Sequence, residues 1–189
     1  ELEGRGALSR HSLTGEITGQ ALKRRPASLK FRAEGGWAAE TWTGAIRQFD
    51  GVLGGQDDWR LNHPALLRLG RNGGELGLAC WESQEAEACL KGKLGALGGW
   101  ETAMRINGLK LERLQPWLPA GLLLKGTLDA GLQLAGQGDR LADGQGEASV
   151  TSALIERRSS TSSFGFRPVP LTLRGLVNGR GAELRLIAE

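Results

Sequence analysis

Soft metal donors are scarce in this 189-residue chain: Cys80, Cys89, His11 and His63 are the whole supply. None stands at the short spacing of a zinc knuckle, so a metal centre of about four ligands lacks candidates. A thiol redox centre asks for CxxC beside a βαβ pattern, and neither is present. GxSxG, HExxH and a P-loop are also missing, and neither histidine has a partner at motif spacing, so catalysis has no carrier and no cofactor is expected. Glu82, Glu85 and Glu87 fall at the tip of an expected hairpin and read as a solvated turn.

No stretch reaches the roughly 18 apolar residues of a membrane-crossing helix. A charge surplus is lacking too, with 24 Lys and Arg against 21 Asp and Glu. The basic groups in "LKRRP" (22 to 26) and "ERRSS" (156 to 160) read as solvated turns, and nucleic acid is not an expected partner. The opening "ELEGRGALSR" begins on charges rather than on the order of a secretory signal. The close "AELRLIAE" runs out in alternating text without a cap. Both are expected to be cut ends of an internal segment, with any membrane anchor or targeting signal outside it.

What is abundant is glycine, 30 residues, about twice the usual share of roughly 7%. It has no collagen period and is not gathered into a linker, so it sits inside the structured pattern. That pattern has period two. Apolar residues alternate with polar ones at Leu29 and Phe31, Trp59 and Leu61, Leu67 and Leu69, and Leu76, Leu78 and Cys80. The alternation continues at Met104 and Ile106, Leu109 and Leu111, Leu128, Ala130, Leu132 and Leu134, Leu171 and Leu173, and Leu184 and Leu186. Such text specifies strands with one apolar and one wet face. Turn signals separate them: "AEGG", "FDGVLGGQDD", "GRNGG", "ESQE", "NG" (107 and 108), "GQGDRLADGQG" and "VNGRG". The chain reads as mainly β, a long antiparallel meander.

One segment breaks the period. In "LERLQPWLPAG", Leu111, Leu114, Trp117 and Leu118 fall at helical spacing, and Pro116 and Pro119 limit the element to one or two turns around 111–119. With helices so scarce, the apolar sheet face must be covered by a second sheet, by closure on itself, or by a ligand in an open trough. Interior glycines favour bending without deciding among these.

Shared parity points Trp42 with Ile46, Trp59 with Leu61, and Trp100 with Met104 toward the apolar face, and Trp81 away from Cys80. A turn centred on Gln84 and Glu85 sets Cys80 opposite Cys89, close to disulfide range; two reduced, buried cysteines are the alternative. Parity is inconsistent here, because Cys80 goes with Leu76 and Leu78 whereas Cys89 goes with Lys91 and Lys93. Either a bulge near Gly92 switches faces, or the hairpin projects past the groove as a rim.

"RINGLKLERLQPWLPAGLLLKGTLDAGLQLAG" (105 to 136) resembles the recurrent unit of the AsmA-like superfamily: a strand, a short "L..L.PWLP" turn, then "G.L.A...L.G". The order "TWTGAI", "WRLNHPALLRL", "CWESQEAEAC", "LERLQPWLP" and "RPVPLTLRGLVNGRGAELRL" is similar to that of its TamB-like members. The resemblance covers nearly the whole chain. It implies an internal segment (1–189, with sub-repeats 1–102 and 103–189) of an inner-membrane-anchored protein that spans the periplasm of a Gram-negative bacterium. The implied fold is a taco-shaped β-trough. The implied partners are phospholipid acyl chains and a TamA-like outer-membrane protein contacted through other parts, in lipid transport or, alternatively, as a scaffold for outer-membrane protein assembly. The lining would be the apolar parity set above, and the periplasm is a compartment where a Cys80 to Cys89 link can form.

Overall fold

The structure is a computed structural model that describes residues 1–21, 25–53, 57–158, 163–166, 170–178 and 181–188. The expected turns in "LKRRP", "FDGVLGGQDD", "ERRSS" and "VNGRG" include residues 22–24, 54–56, 159–160 and 179–180, which lie outside the described residues, and residues 156–158 of "ERRSS" are strand rather than turn. The strands are β1 (Leu2–Ala7), β2 (Arg10–Ala21), β3 (Arg25–Ala38), β4 (Thr41–Leu53), β5 (Asp57–Leu61), β6 (Ala65–Gly70) and β7 (Gly73–Ser83). There follow β8 (Ala86–Gly95), β9 (Gly99–Lys110), a 3-10 turn (Leu111–Trp117), β10 (Leu122–Gln137), β11 (Arg140–Arg158), β12 (Ser163–Phe166), β13 (Leu171–Asn178) and β14 (Gly181–Ala188). The fold is mainly β, as the alternating text requires.

All the strands join one antiparallel sheet, in which hydrogen-bonded neighbours follow chain order from β1 to β14. Two places in the order are shared by a pair of short strands. β5 and β6 both lie between β4 and β7, and β12 and β13 both pair with β11. Each pair amounts to one strand interrupted where proline stands, at Asn62 to Pro64 and just before Leu171 (Pro170), because proline offers the ladder no N–H.

Every extensive contact between elements is between hydrogen-bonded neighbours, or between the 3-10 turn and β9 or β10. Among the described residues, β1 and β14 end the order without pairing to each other. A barrel closed by strand pairing is thereby excluded for the described residues, and the scant burial does not fit a sandwich core. Among the described residues, the buried side chains are mostly alanines (Ala45, Ala65, Ala79, Ala86, Ala153) with Trp42, Leu111 and Ser83, and no large one is fully buried.

Three turn signals lie inside strands instead. "AEGG" is within β3, whose turn comes at Ala39 and Glu40, and much of "GQGDRLADGQG" is strand on either side of a turn at 138 and 139. The "NG" of Asn107 and Gly108 is a bulge in β9: Gly108 takes φ +66°, and the register against β10 shifts between Leu128 and Ala130. "AMRI" and "LKL" therefore belong to one strand, and the extra residue puts Leu109 on the face of Ile106 despite its opposite parity.

Candidate functional site

In an antiparallel ladder, directly opposed residues share a face, so the register assigns every strand residue to one of two surfaces. Starting from Leu132, the opposed residues are Met104 on β9 and Gly146 on β11, then Leu90 on β8 and Gly175 on β13. Continued across the sheet, this surface takes in Leu29, Phe31, Trp42, Ile46, Trp59, Leu61, Leu67, Leu69 and Leu76. It also takes in Ile106, Leu109, Leu128, Leu134 and Leu173. Leu171, Leu184 and Leu186 have backbone register on it as well, but their side chains and that of Trp117 lie outside the described residues.

Among the described side chains, the strands contribute no Asp, Glu, Lys or Arg to this surface. The charges collect on the opposite one, in pairs such as Lys93 with Glu75, Arg47 with Glu34, and Arg174 with Glu147. All of these are exposed, so they solubilise more than they stabilise. The apolar surface stays partly open to solvent, with Leu94 53%, Met104 41% and Leu173 37% exposed.

Large rings shape it, and glycines make room for them. A Cβ on Gly15 would stand 2.3 Å from the Phe31 ring, one on Gly35 or Gly44 2.5 Å from Trp42, and one on Gly136 2.5 Å from Trp100. These rings cross neighbouring strands at positions where there is no side chain. Their polar atoms are satisfied within the sheet. The Trp42 indole N–H donates to His11 Nε2 (2.9 Å), that of Trp100 to the Gly138 carbonyl (3.0 Å), and that of Trp81 to the Phe49 carbonyl (3.1 Å). Phe49 and Trp81 meet edge to face at 5.7 Å. The indoles of Trp42, Trp81 and Trp100 thus add ring faces to the aliphatic chains of the surface with their donors already used.

The 3-10 turn lies at one margin. Arg113 donates to the Ser83 carbonyl (2.9 Å) and to Ser83 Oγ (2.5 Å), and its guanidinium stands 5.2 Å from the centre of the Trp59 ring. Gln115 ties the turn to the start of β10 by donating to the Leu122 carbonyl and accepting from the Leu124 N–H. Leu111 is buried beneath it, whereas Leu114 and Leu118 are half-buried. Leu111 therefore serves the seat of this turn, not the open surface.

Two residues fall elsewhere than parity suggests. β7 carries one extra residue between Leu76 and Ala79, at Gly77 and Leu78, which inverts the faces beyond it. Leu78 is turned to the polar surface, 63% exposed, and Cys80 goes with it. The bulge is in β7 rather than near Gly92, and it removes the inconsistency between the cysteines: Cys80 stands directly opposite Cys89, Cα atoms 4.0 Å apart and sulfurs at bonding distance, both on the polar surface. There they line a shallow cleft with Glu87, Lys91, Arg105 and Gln133. Glu87 completes a trio of donor atoms within 4.8 Å, but two sulfurs at bonding distance offer no pair of thiolates to an ion. Trp81, opposed to Leu61, points the other way onto the apolar surface.

Arg60, on the polar surface, is raised above its ordinary range by its hydrogen bond and charge pairing with Asp58, and it is charged at any physiological pH regardless. Among the described residues, no helix is long and apolar enough to cross a membrane.

A family model described as TamB, N-terminal domain, matches residues 1–176. No curated protein and no solved structure matches the chain.

Proposed function

The chain belongs to the TamB family, and from that premise we propose that its uncharged sheet surface carries phospholipid acyl chains between the inner and outer membranes. Proteins of this family are anchored in the inner membrane, span the periplasm of Gram-negative bacteria, and serve outer-membrane biogenesis with a TamA-type partner. They are transport and assembly proteins and not enzymes.

The observation that carries the reading is one continuous sheet whose apolar surface keeps large side chains such as Leu94, Met104 and Leu173 partly exposed. Acyl chains are the class of ligand that such a surface fits. Each methylene withdrawn from water contributes about 0.8 kcal/mol, so a 16-carbon chain gains on the order of 10 kcal/mol on a fully dry path. The described strand side chains of this surface carry no charge, so neighbouring positions along them differ little in energy and a chain can slide. Arg113, over Trp59, is a charged group at the margin. Head groups stay in solvent. A periplasmic setting belongs to the same reading and accords with a Cys80 to Cys89 disulfide. A division into sub-repeats 1–102 and 103–189 belongs to the same reading, its boundary falling inside β9.

Site-specific photo-crosslinking tests the proposal. Crosslinkers at Leu132 and Leu173 capture phospholipid in cells, whereas those at Gln133 and Thr172, one residue along and on the polar surface, do not. Equal capture from both pairs would refute it.

A second reading is a scaffold for outer-membrane protein assembly with a TamA-type partner, acting at an edge of the sheet. An incoming strand could add there through backbone hydrogen bonds. Crosslinks from β14 to an unfolded outer-membrane protein, without lipid capture at Leu132, would favour the scaffold.

A further inference from the structure

The arginines of the polar surface are not spread evenly. Arg5 of β1, Arg10 of β2, Arg32 of β3 and Arg47 of β4 lie as far as 42 positions apart in the chain, yet pairing of the four strands gathers them around one cleft of about 500 Å3. We infer that this cleft binds a terminal phosphate group, supplied by a soluble ligand or by a lipid head group. The inference goes beyond the conduit reading and does not depend on it, because these side chains belong to the surface opposite the apolar one.

The register makes the cluster. Arg5, Ser12 and Glu34 are directly opposed on β1, β2 and β3 and so share a face. Arg10 and Arg32 lie two residues along from Ser12 and Glu34 and share it too, by the alternation of the pleat. Arg47 is the extra residue of β4 where the register against β3 shifts, and it reaches Glu34 on the same face. Strands about 4.8 Å apart spread the four guanidinium groups over roughly 15 Å.

Among the described residues, Glu34 is the carboxylate that lines the cleft. Its Oε1 is 2.6 Å from Arg32, and its Oε2 accepts from Arg47 Nε at 3.2 Å. Arg5 is taken up by Glu3 (2.6 Å), and Arg10 has no ion pair. Four cations thus meet two carboxylates, which leaves two positive charges in a small concave space. The pairs are exposed and contribute little to stability, while the gathered like charges oppose folding. An anion bound among them removes that opposition. Glu34 shows the limit of a carboxylate, which gives one oxygen to each of two guanidinium groups. A terminal phosphate offers three oxygens and nearly twice the charge, enough to bridge guanidinium groups from three strands. The Ser12 hydroxyl, also lining the cleft, adds a donor.

Calorimetric titration at low salt with sodium tripolyphosphate and, separately, with monomeric dihexanoylphosphatidic acid tests it. At least one probe binds, and the double variant Arg10→Gln/Arg47→Gln binds it at least tenfold more weakly. Arg140→Gln, exposed beside a turn away from the cleft, binds as the unaltered chain does. Glu34→Gln, which frees two guanidinium groups, binds at least threefold more tightly, a gain that misfolding does not imitate. Circular dichroism accompanies each variant. Binding of tripolyphosphate alone identifies a soluble ligand, of dihexanoylphosphatidic acid alone a head group, and of both a site that takes either. Binding of neither probe, undiminished binding by the double variant, no gain in Glu34→Gln, or equally tight binding of hexaglutamate would each overturn the inference. Lipid capture at Leu132 reports on the conduit separately and is unaffected by these variants.

Discussion

At the scale of the residue, a single inserted position decides which side of the sheet a side chain occupies. Parity places Leu29, Phe31, Trp42, Ile46, Trp59, Leu61, Met104, Ile106 and Leu132 together, and the register agrees, because alternation along a strand is fixed by the pleat. Parity fails at Leu78, where Gly77 was the sole hint that β7 carries an extra residue; a glycine inside a strand marks a bulge only some of the time, and this sequence has 30 of them. The consequence is measurable. Leu78→Ser, on the polar side and largely solvated, changes unfolding free energy by no more than about 0.5 kcal/mol. Leu111→Ala, at a residue 6% exposed under the 3-10 turn, costs about 2–3 kcal/mol in urea titration.

At the scale of the element, the hairpin of β7 and β8 and the 3-10 turn show what local text can specify. The turn at Gln84 and Glu85 was legible, and it suffices to bring Cys80 opposite Cys89. Because their sulfurs lie on the polar side, a link there constrains the hairpin without touching the apolar surface. Replacing both cysteines by serine therefore lowers stability by about 2–3 kcal/mol, as expected for a closed loop of this length, while lipid capture at Leu132 is retained. Thiol titration of the unreduced chain, which should find no free thiol, checks the link itself. The helical spacing of Leu111, Leu114, Trp117 and Leu118 announced a turn, but its anchorage did not show in the sequence. Arg113 finds Ser83 and Trp59, 30 and 54 positions away in the chain, and no local pattern encodes such partners. Nor did "WRLNHPALLRL" disclose that β5 and β6 share one place in the sheet.

At the scale of the whole molecule, the scarcity of helix made a β fold legible, whereas closure was not, since it depends on whether β1 meets β14 and neither carries a signal for the other. The open single layer sets the tolerance of the apolar surface. Leu132→Asp leaves the sheet folded, with a loss of about 1 kcal/mol rather than the several kcal/mol of an uncompensated buried charge, and it obstructs lipid passage. Loss of the circular dichroism of β structure in that variant would point instead to a sealed core. Contacts confined to sequential neighbours have a further consequence, for the course of melting. Without a shared interior to tie β1 to β14, cooperativity extends only as far as adjoining strands transmit it, as in a linear array of repeats. Denaturation then advances from strand to strand rather than all at once, and amide protons of the short β5 and β6 exchange with solvent before those of β8 and β9.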